Sequence, residues 1–290
     1  MLDFVQQLVS GIALGCVYGL IALGFVLVYK ATEVVNFAQG DLMMLGGFFA
    51  FTFISLLGFN YWLGFVAAVG AMALFGMLAE RLVVRPILGY PQFSIIMATI
   101  GLGFFLRSVA GMIWGTDDLK IETPFSQGVL RLGSLVLAYD KLSVIAATII
   151  LCGVLYLFFN RTTLGTAMRA SSENMLAAYY MGIPVKRLNG LVWGLAAAVA
   201  AIAGLLLAPI TYVHANMGFI GLKAFPAAVV GGFGSLPGAI VGGLVIGIVE
   251  SLSGFYLPEG FKDIAPYIVV LIMLVLKPNG LFGEKLRKKV

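Results

Sequence analysis

VQQLVSGIALGCVYGLIALGFVLVY, from Val5 to Tyr29, runs 25 residues without a charged side chain. As an α-helix it would rise about 37 Å at 1.5 Å per residue, enough to cross the roughly 30 Å hydrocarbon core of a bilayer. No basic stretch precedes it, it is longer than a signal-peptide core, and it shows no small-residue cleavage site, so it reads as a retained span. Outward from it the same signal recurs at Phe37–Leu57, Trp62–Glu80, Phe93–Trp114, Lys141–Phe159, Asn189–Tyr212, Pro237–Leu257 and Ile264–Leu276. Between these, Leu222–Phe233 is apolar but short; it carries Pro226 and Gly231-Gly232 and is followed by the turn signature Ser235-Leu236-Pro237-Gly238. The expected fold is all-α: a polytopic integral membrane protein of about eight transmembrane helices plus a short re-entrant or broken helix, forming a single transmembrane domain over residues 1–290.

Composition supports this class. Hydrophobic residues make up 61% of the chain and charged residues 11%, with a mean hydropathy of +1.05. A soluble domain carries about a quarter charged residues, so too little charge is present to cover a water-facing surface. The net charge of +5 reads first as an orientation signal rather than as affinity for nucleic acid. Lys30, Arg81, Arg85, the stretch from Arg161 to Arg187 and the tail from Lys277 to Lys289 hold 12 of the 18 basic residues. Placing all of them in the cytoplasm requires an outside amino terminus, an inside carboxyl terminus and a 222–233 segment that changes sides. Under that count a long span followed by a glycine-interrupted segment occurs twice, at 5–47 and 189–243, in opposite directions. Inverted repeats with interrupted helices near the midplane are a transporter plan.

Two motifs carry candidate function. Asn36-Phe37-Ala38-Gln39-Gly40-Asp41 opens the second apolar run with two amides and a carboxylate. Such groups are costly in hydrocarbon and should face protein or a water-filled cavity. Asn36, Gln39 and Asp41 therefore lie at or near a substrate pathway, or else cap a helix just inside the cytoplasmic interface. The longest basic loop contains Arg169-Ala170-Ser171-Ser172-Glu173-Asn174-Met175-Leu176-Ala177-Ala178-Tyr179-Tyr180-Met181-Gly182-Ile183-Pro184. A helix capped by Ser171 or Ser172, with Glu173 in its first turn and Gly182 after its last, is expected there. Met175 with Tyr179 and Leu176 with Tyr180, at i,i+4 spacing, give it an apolar face suited to a lipid headgroup layer or to a partner. Arg107, in the outer half of its span, and Glu250 could each line a path or form a buried pair; Arg107 is expected to snorkel to the nearer interface, whereas the role of Glu250 stays open. Gly231-Gly232, Gly242-Gly243 and Gly247 read as close helix packing.

No Gly-Lys dipeptide exists, so the usual phosphate-binding loop is absent and any ATP hydrolysis belongs to another chain. One histidine, His214, and two isolated cysteines, Cys16 and Cys152, offer no metal cluster, no disulfide and no cofactor site. No paired catalytic carboxylates stand out, and a transport pathway is expected in place of an enzyme.

With Val230-Gly231-Gly232-Phe233-Gly234-Ser235-Leu236-Pro237-Gly238 added to these two motifs, the whole chain closely resembles the permeases of the branched-chain (hydrophobic) amino acid ABC importers, in particular the shorter permease of the pair. Many relatives carry histidine at the position of Gln39 and glutamate at that of Asp41. The resemblance implies a multi-pass protein of the bacterial inner membrane. It also implies a second permease subunit, two cytoplasmic ATPase subunits and an extracytoplasmic substrate-binding protein as partners, with no nucleic acid. On the same basis the loop becomes an ATPase-coupling element at Arg169, Ser172, Glu173, Asn174 and Gly182, and alternating access becomes the mechanism. Permeases for urea and short amides share the framework. A gradient-driven transporter and a channel are the remaining alternatives.

Overall fold

The computed structural model describes residues 2–125, 128–132 and 135–283. The basic residues Lys285, Arg287, Lys288 and Lys289 of the tail lie outside them. Helix α1 spans Leu2–Thr32; α2, Gln39–Phe51, continues through one wide π turn to Leu56; α3, Tyr61–Ala79, continues through a π turn and a 3-10 turn to Ile87. After α4, Gln92–Trp114, a hairpin pairs β1 (Val129–Leu132) antiparallel to β2 (Leu135–Ala138). Then follow α5 (Tyr139–Arg161), α6 (Thr163–Glu173), α7 (Met175–Tyr180), α8 (Val185–Thr211), α9 (Ile220–Gly231), α10 (Leu236–Tyr256) and α11 (Phe261–Leu276). Among the described residues seven helices are long and apolar enough to cross a membrane, and the 16-residue α11 corresponds to the eighth expected span. The chain is thus an all-α polytopic membrane protein.

Apolar sequence alone does not say which spans are central. The structure does: α1 and α8 are 89% and 78% buried over their most apolar stretches, against 22–28% for α3, α4 and α5, which present their side chains outward. Glycine spacing explains the tightest contact. Gly11, Gly15 and Gly19 of α1 recur every fourth residue and face Gly243 and Gly247 of α10. A β-carbon on Gly15 would stand 2.8 Å from the Gly243 carbonyl oxygen, and one on Gly247 would overlap the Gly15 backbone. Helices in lipid associate through such close backbone approach because hydrocarbon provides no hydrophobic drive between them.

The helix ends bearing Lys30, Arg85, Arg169, Lys186 and Lys277 gather at one end of the bundle. Lys30, Arg169 and Ser172 line one crevice, Arg85 Nη2 donates to the Lys186 carbonyl at 3.1 Å, and Leu281 N–H donates to the Val230 carbonyl at 2.8 Å. At the opposite end Trp114 Nε1 donates to Thr52 Oγ1 at 2.8 Å, Leu119 pairs with Val213, and Lys141 Nζ donates to Ser10 Oγ at 2.6 Å.

Two long helices end alike. Glu33 after α1 and Tyr212 after α8 both have positive φ, at 56° and 60°, with ψ 166° at Tyr212. Such sparsely populated backbone costs a non-glycine residue about 1–3 kcal/mol, and at each place it turns the chain back into the bundle. Residues 33–38 re-enter unwound before α2, and residues 212–219 re-enter before α9. Gln39 rests against Gly24 of α1, eight residues or about 12 Å from that helix's end. It also reaches Ala196, eleven residues or about 16 Å into α8. The second apolar run therefore starts as a helix deep in the bundle, and its expected start at Phe37 falls in the unwound part. Segment 220–231 runs from this depth to the basic end, completing the change of sides that the charge count demands.

Two expectations are corrected. The loop helix is split into α6 and α7, because Asn174 is extended at φ −155° and accepts the Ala177 N–H at 2.9 Å, so Asn174 and not Ser171 or Ser172 caps α7. Thr162 caps α6, accepting from Gly165 N–H at 3.0 Å. The third span also runs beyond Glu80, since the buried Glu80 carboxylate is gripped by Arg85 from one turn further on, at 3.1 and 2.6 Å.

Gly247→Leu should lower the unfolding temperature of the detergent-solubilised chain and broaden its size-exclusion peak, as overpacking costs about 1–3 kcal/mol. Gly153→Leu on α5, where a side chain meets open space, should leave both unchanged.

Candidate functional site

Inside hydrocarbon an unwound segment is stable only if its polar backbone finds partners. Asn36 supplies one: its Oδ1 accepts the Ala38 N–H at 3.1 Å, the local turn that asparagine favours. Its Nδ2 donates to Gln39 Oε1 at 3.3 Å, and Gln39 Nε2 donates to the Ala196 carbonyl of α8 at 3.2 Å. Phe37 N–H donates to Thr99 Oγ1 of α4 at 3.2 Å. Asn36 and Gln39 are fully buried among α1, α2 and α8, so they pin the re-entrant segment to the central helices.

Asp41 points elsewhere. Its Oδ1 accepts from Arg107 Nε at 3.2 Å and Nη2 at 2.8 Å, joining α2 to α4. The Arg107 guanidinium lies 3.7 Å over the Phe219 ring and 5.5 Å from that of Phe104. Arg107 stands seven residues, about 10 Å, before the end of α4, and it turns to Asp41 in place of snorkelling. Two bonds to one carboxylate oxygen and an aromatic face hold it inside, where an unpaired charge would be costly. Asp41 accordingly lies deep in the bundle rather than at an interface.

Gly40 and Gly221 meet backbone to backbone, and a β-carbon on either would overlap the other residue's chain. Gly218 lies against the Asp41 carboxylate with equally little room. The start of α2 and the start of α9 thus cross nose to nose, one helix leaving toward each end of the bundle. Each N-terminus carries the equivalent of about half a positive charge, and the two converge beside an ion pair that is itself neutral. Phe37, Asp41, Ile100, Phe104, Arg107, Gly218, Phe219 and Leu222 line a half-open cavity of about 220 Å³ at the crossing, with Phe104, Phe219 and Leu222 exposed at its mouth. Of the three residues expected on the pathway, Asp41 lines this cavity, whereas Asn36 and Gln39 hold the bend behind it. Arg107 and Phe219 are additions that only the fold reveals, though a lone arginine and a lone aspartate in separate apolar runs are a signal for intramembrane pairing.

A second polar cluster, running from buried Tyr18 and Glu250 to the exposed Asp263, ties α1, α9, α10 and α11. Glu250 accepts from Tyr18 Oη at 2.7 Å and from Lys223 Nζ at 3.1 Å, and Lys223 also reaches Asp263 at 2.5 Å. At the basic end, Arg169 Nη1 donates to Asn160 Oδ1 at 2.9 Å and Ser172 Oγ donates to the Arg169 carbonyl at 2.8 Å. Glu173 is exposed. Gly182, at φ 82°, closes α7: its N–H donates to the Tyr179 carbonyl and that of Ile183 to the Ala178 carbonyl, both at 3.0 Å. This rigid finish holds Leu176, Tyr179, Tyr180 and Met181 outward, each two-thirds exposed or more.

Removal of Asp41 alone, by Asp41→Ala, should destabilise the chain by about 3–5 kcal/mol because Arg107 is left buried and unpaired. Asp41→Ala with Arg107→Leu should recover most of that loss in thermal unfolding; additive losses would count against a coupled pair.

Comparison with known proteins places these features. Residues 7–276 match a family model described as "Branched-chain amino acid transport system / permease component". The chain is 32% identical over 311 residues to the high-affinity branched-chain amino acid transport system permease protein LivH of Escherichia coli (strain K12), covering 100% of this chain and 98% of the relative. It is 31% identical over 301 residues to the corresponding permease protein BraD of Pseudomonas aeruginosa, covering 99% and 98%. A probable branched-chain amino acid transport permease protein, LivH of Methanocaldococcus jannaschii, is 31% identical over 293 residues, covering 93% and 89%.

Proposed function

Because the chain belongs to the family of branched-chain amino acid transport system permease components, we propose that it provides half of the transmembrane route of an ABC importer for branched-chain or other hydrophobic amino acids. The residues 1–290 act as one permease domain of the bacterial plasma membrane, without catalysis of their own. A second permease completes the route, two cytoplasmic ATPases drive it, and an extracytoplasmic binding protein delivers the cargo. The observation that carries this reading is the meeting of two oppositely directed half-helices at a small charged cavity, the arrangement in which transporters place their substrate path.

The pathway passes Asp41, with Asn36 and Gln39 fixing the bend from which α2 departs. ATP binding closes the ATPases against α6–α7, where Arg169, Ser172, Glu173, Asn174 and Gly182 shape and orient the exposed apolar knob. α6 adjoins α1 and α8, so a displacement at the knob reaches both helices that hold the re-entrant segments. Alternating access follows when those segments shift about the glycine crossing. Gradient coupling is disfavoured, since the buried carboxylates among the described residues, Asp41, Glu80 and Glu250, already hold Arg107, Arg85 and Lys223. A urea or amide permease is disfavoured because the amides of Asn36 and Gln39 face protein and not the cavity.

The test is ATP-driven leucine uptake by the purified complex in liposomes with its binding protein. Uptake that stops on ATP removal is expected; uptake that persists on an ion gradient alone would overturn the reading. Glu173→Lys should leave the chain folded and lower co-purification of the ATPases at least fivefold. Gln39→Leu should reduce uptake more than assembly, measured as transport rate per recovered complex.

A further inference from the structure

The ion pair at the crossing is incompletely used. Arg107 donates to Asp41 through Nε and Nη2, and Nη1 has no acceptor among the described residues. Both Arg107 bonds end on Asp41 Oδ1; among the described residues Oδ2 accepts none, and it lies beside Gly103 of α4 without being sealed off. Both residues border the same cavity, and the Arg107 side chain keeps 16% of its surface exposed there. A pair built only for rigidity gains nothing from a cavity against it, whereas a docking site requires one.

We propose that Asp41 and Arg107 dock the ammonium and carboxylate of a zwitterionic α-amino acid, with the apolar side chain of the cargo against Phe37, Phe104 and Phe219. The proposal rests on the reading of the chain as an amino acid permease and deepens it to a recognition chemistry. The carboxylate takes the free Nη1 edge of Arg107, and the ammonium donates to Asp41 Oδ2. Every charge then has a partner, and the site remains neutral overall. A cargo with net charge leaves one unit uncompensated in low dielectric, which is strongly unfavourable. A neutral apolar solute leaves the open valences unmet and gains only contact with the rings. Size agrees as well: about 220 Å³ falls below the roughly 300 Å³ at which drug-sized pockets begin, and suits one small amino acid. The site thereby selects a second time, after the binding protein, by the adjacency of two opposite charges and not by the shape of the side chain.

The experiment uses the full importer complex in lipid nanodiscs without binding protein, and a leucine analogue whose side chain carries a photoreactive diazirine. Cross-linked peptides are mapped by mass spectrometry, with leucine, 3-methylbutylamine, 4-methylpentanoate and lysine as competitors. The expected label falls on peptides containing Phe104 and Phe219. Leucine should compete at a concentration at least tenfold below either half-molecule or lysine. Arg107→Lys and, as a variant that leaves the ion pair in place, Phe219→Leu should each reduce labelling at least fivefold. Label confined to other segments, or equal competition by the amine and by leucine, would overturn the docking site. Parallel ATP-driven leucine uptake separates the two levels of the argument. Uptake without this labelling removes the site and keeps the importer; labelling without uptake keeps the site and removes the importer; loss of both removes both.

Discussion

The contact on which the rest of the structure depends is the crossing of Gly40 and Gly221, where two helix starts meet with no side chain between them. Hydrocarbon does not tolerate free backbone polar groups, so a broken helix needs protein on every side. This protein meets that demand by placing the first break against its two most buried helices, α1 and α8, and the second against α2 and α4. Asn36, Gln39 and Thr99 satisfy the first break with side-chain bonds. The second is held by a 3-10 turn, Ala215–Phe219, and by the bridge between Val213 and Leu119.

From that constraint follows the placement of charge. Because α2 begins deep in the bundle and not at its end, the third residue of the helix, Asp41, faces α4 at the level of Arg107. Two lone charges from separate spans find one another there, and either one left unpaired would be costly. The aromatic ring of Phe219 comes from the segment leading into α9, so the recognition chemistry belongs to the crossing and not to any single helix. Farther along, α9 is tied at its start to Glu250 through Lys223 and at its end to the chain after α11 through Val230 and Gly231. It is a strut between the crossing and the basic end.

Much of this fold was legible in residues. Uncharged runs gave the spans, basic residues gave the ends, and the glycines with Pro226 marked segment 222–233 as short. Asn36, Gln39 and Asp41 stood out because amides and carboxylates are costly in lipid. Periodicity could not separate central from peripheral helices, because lipid and protein interior select the same apolar side chains. Nor could it place Arg107: a span flanked by water permits snorkelling, and only the depth of Asp41, set by the turn at Glu33, decides for pairing. Asn174 was hidden by its neighbours, since Ser171 and Ser172 are equally good caps and the choice rests on where α6 ends. The outward apolar cluster of α7 was visible as spacing, whereas its rigid hold by Gly182 required the backbone.

Water access at the crossing tests the account most directly. In a chain with Cys16 and Cys152 replaced by alanine, Leu222→Cys on the cavity wall and Phe105→Cys on the outward face of α4 can be compared with a membrane-impermeant thiol reagent, in the nucleotide-free and nucleotide-trapped complex. The account predicts that Leu222→Cys reacts, with a rate that differs at least tenfold between the two states, while Phe105→Cys stays inert in both. A Leu222→Cys as unreactive as Phe105→Cys in both states would contradict a pathway through the crossing.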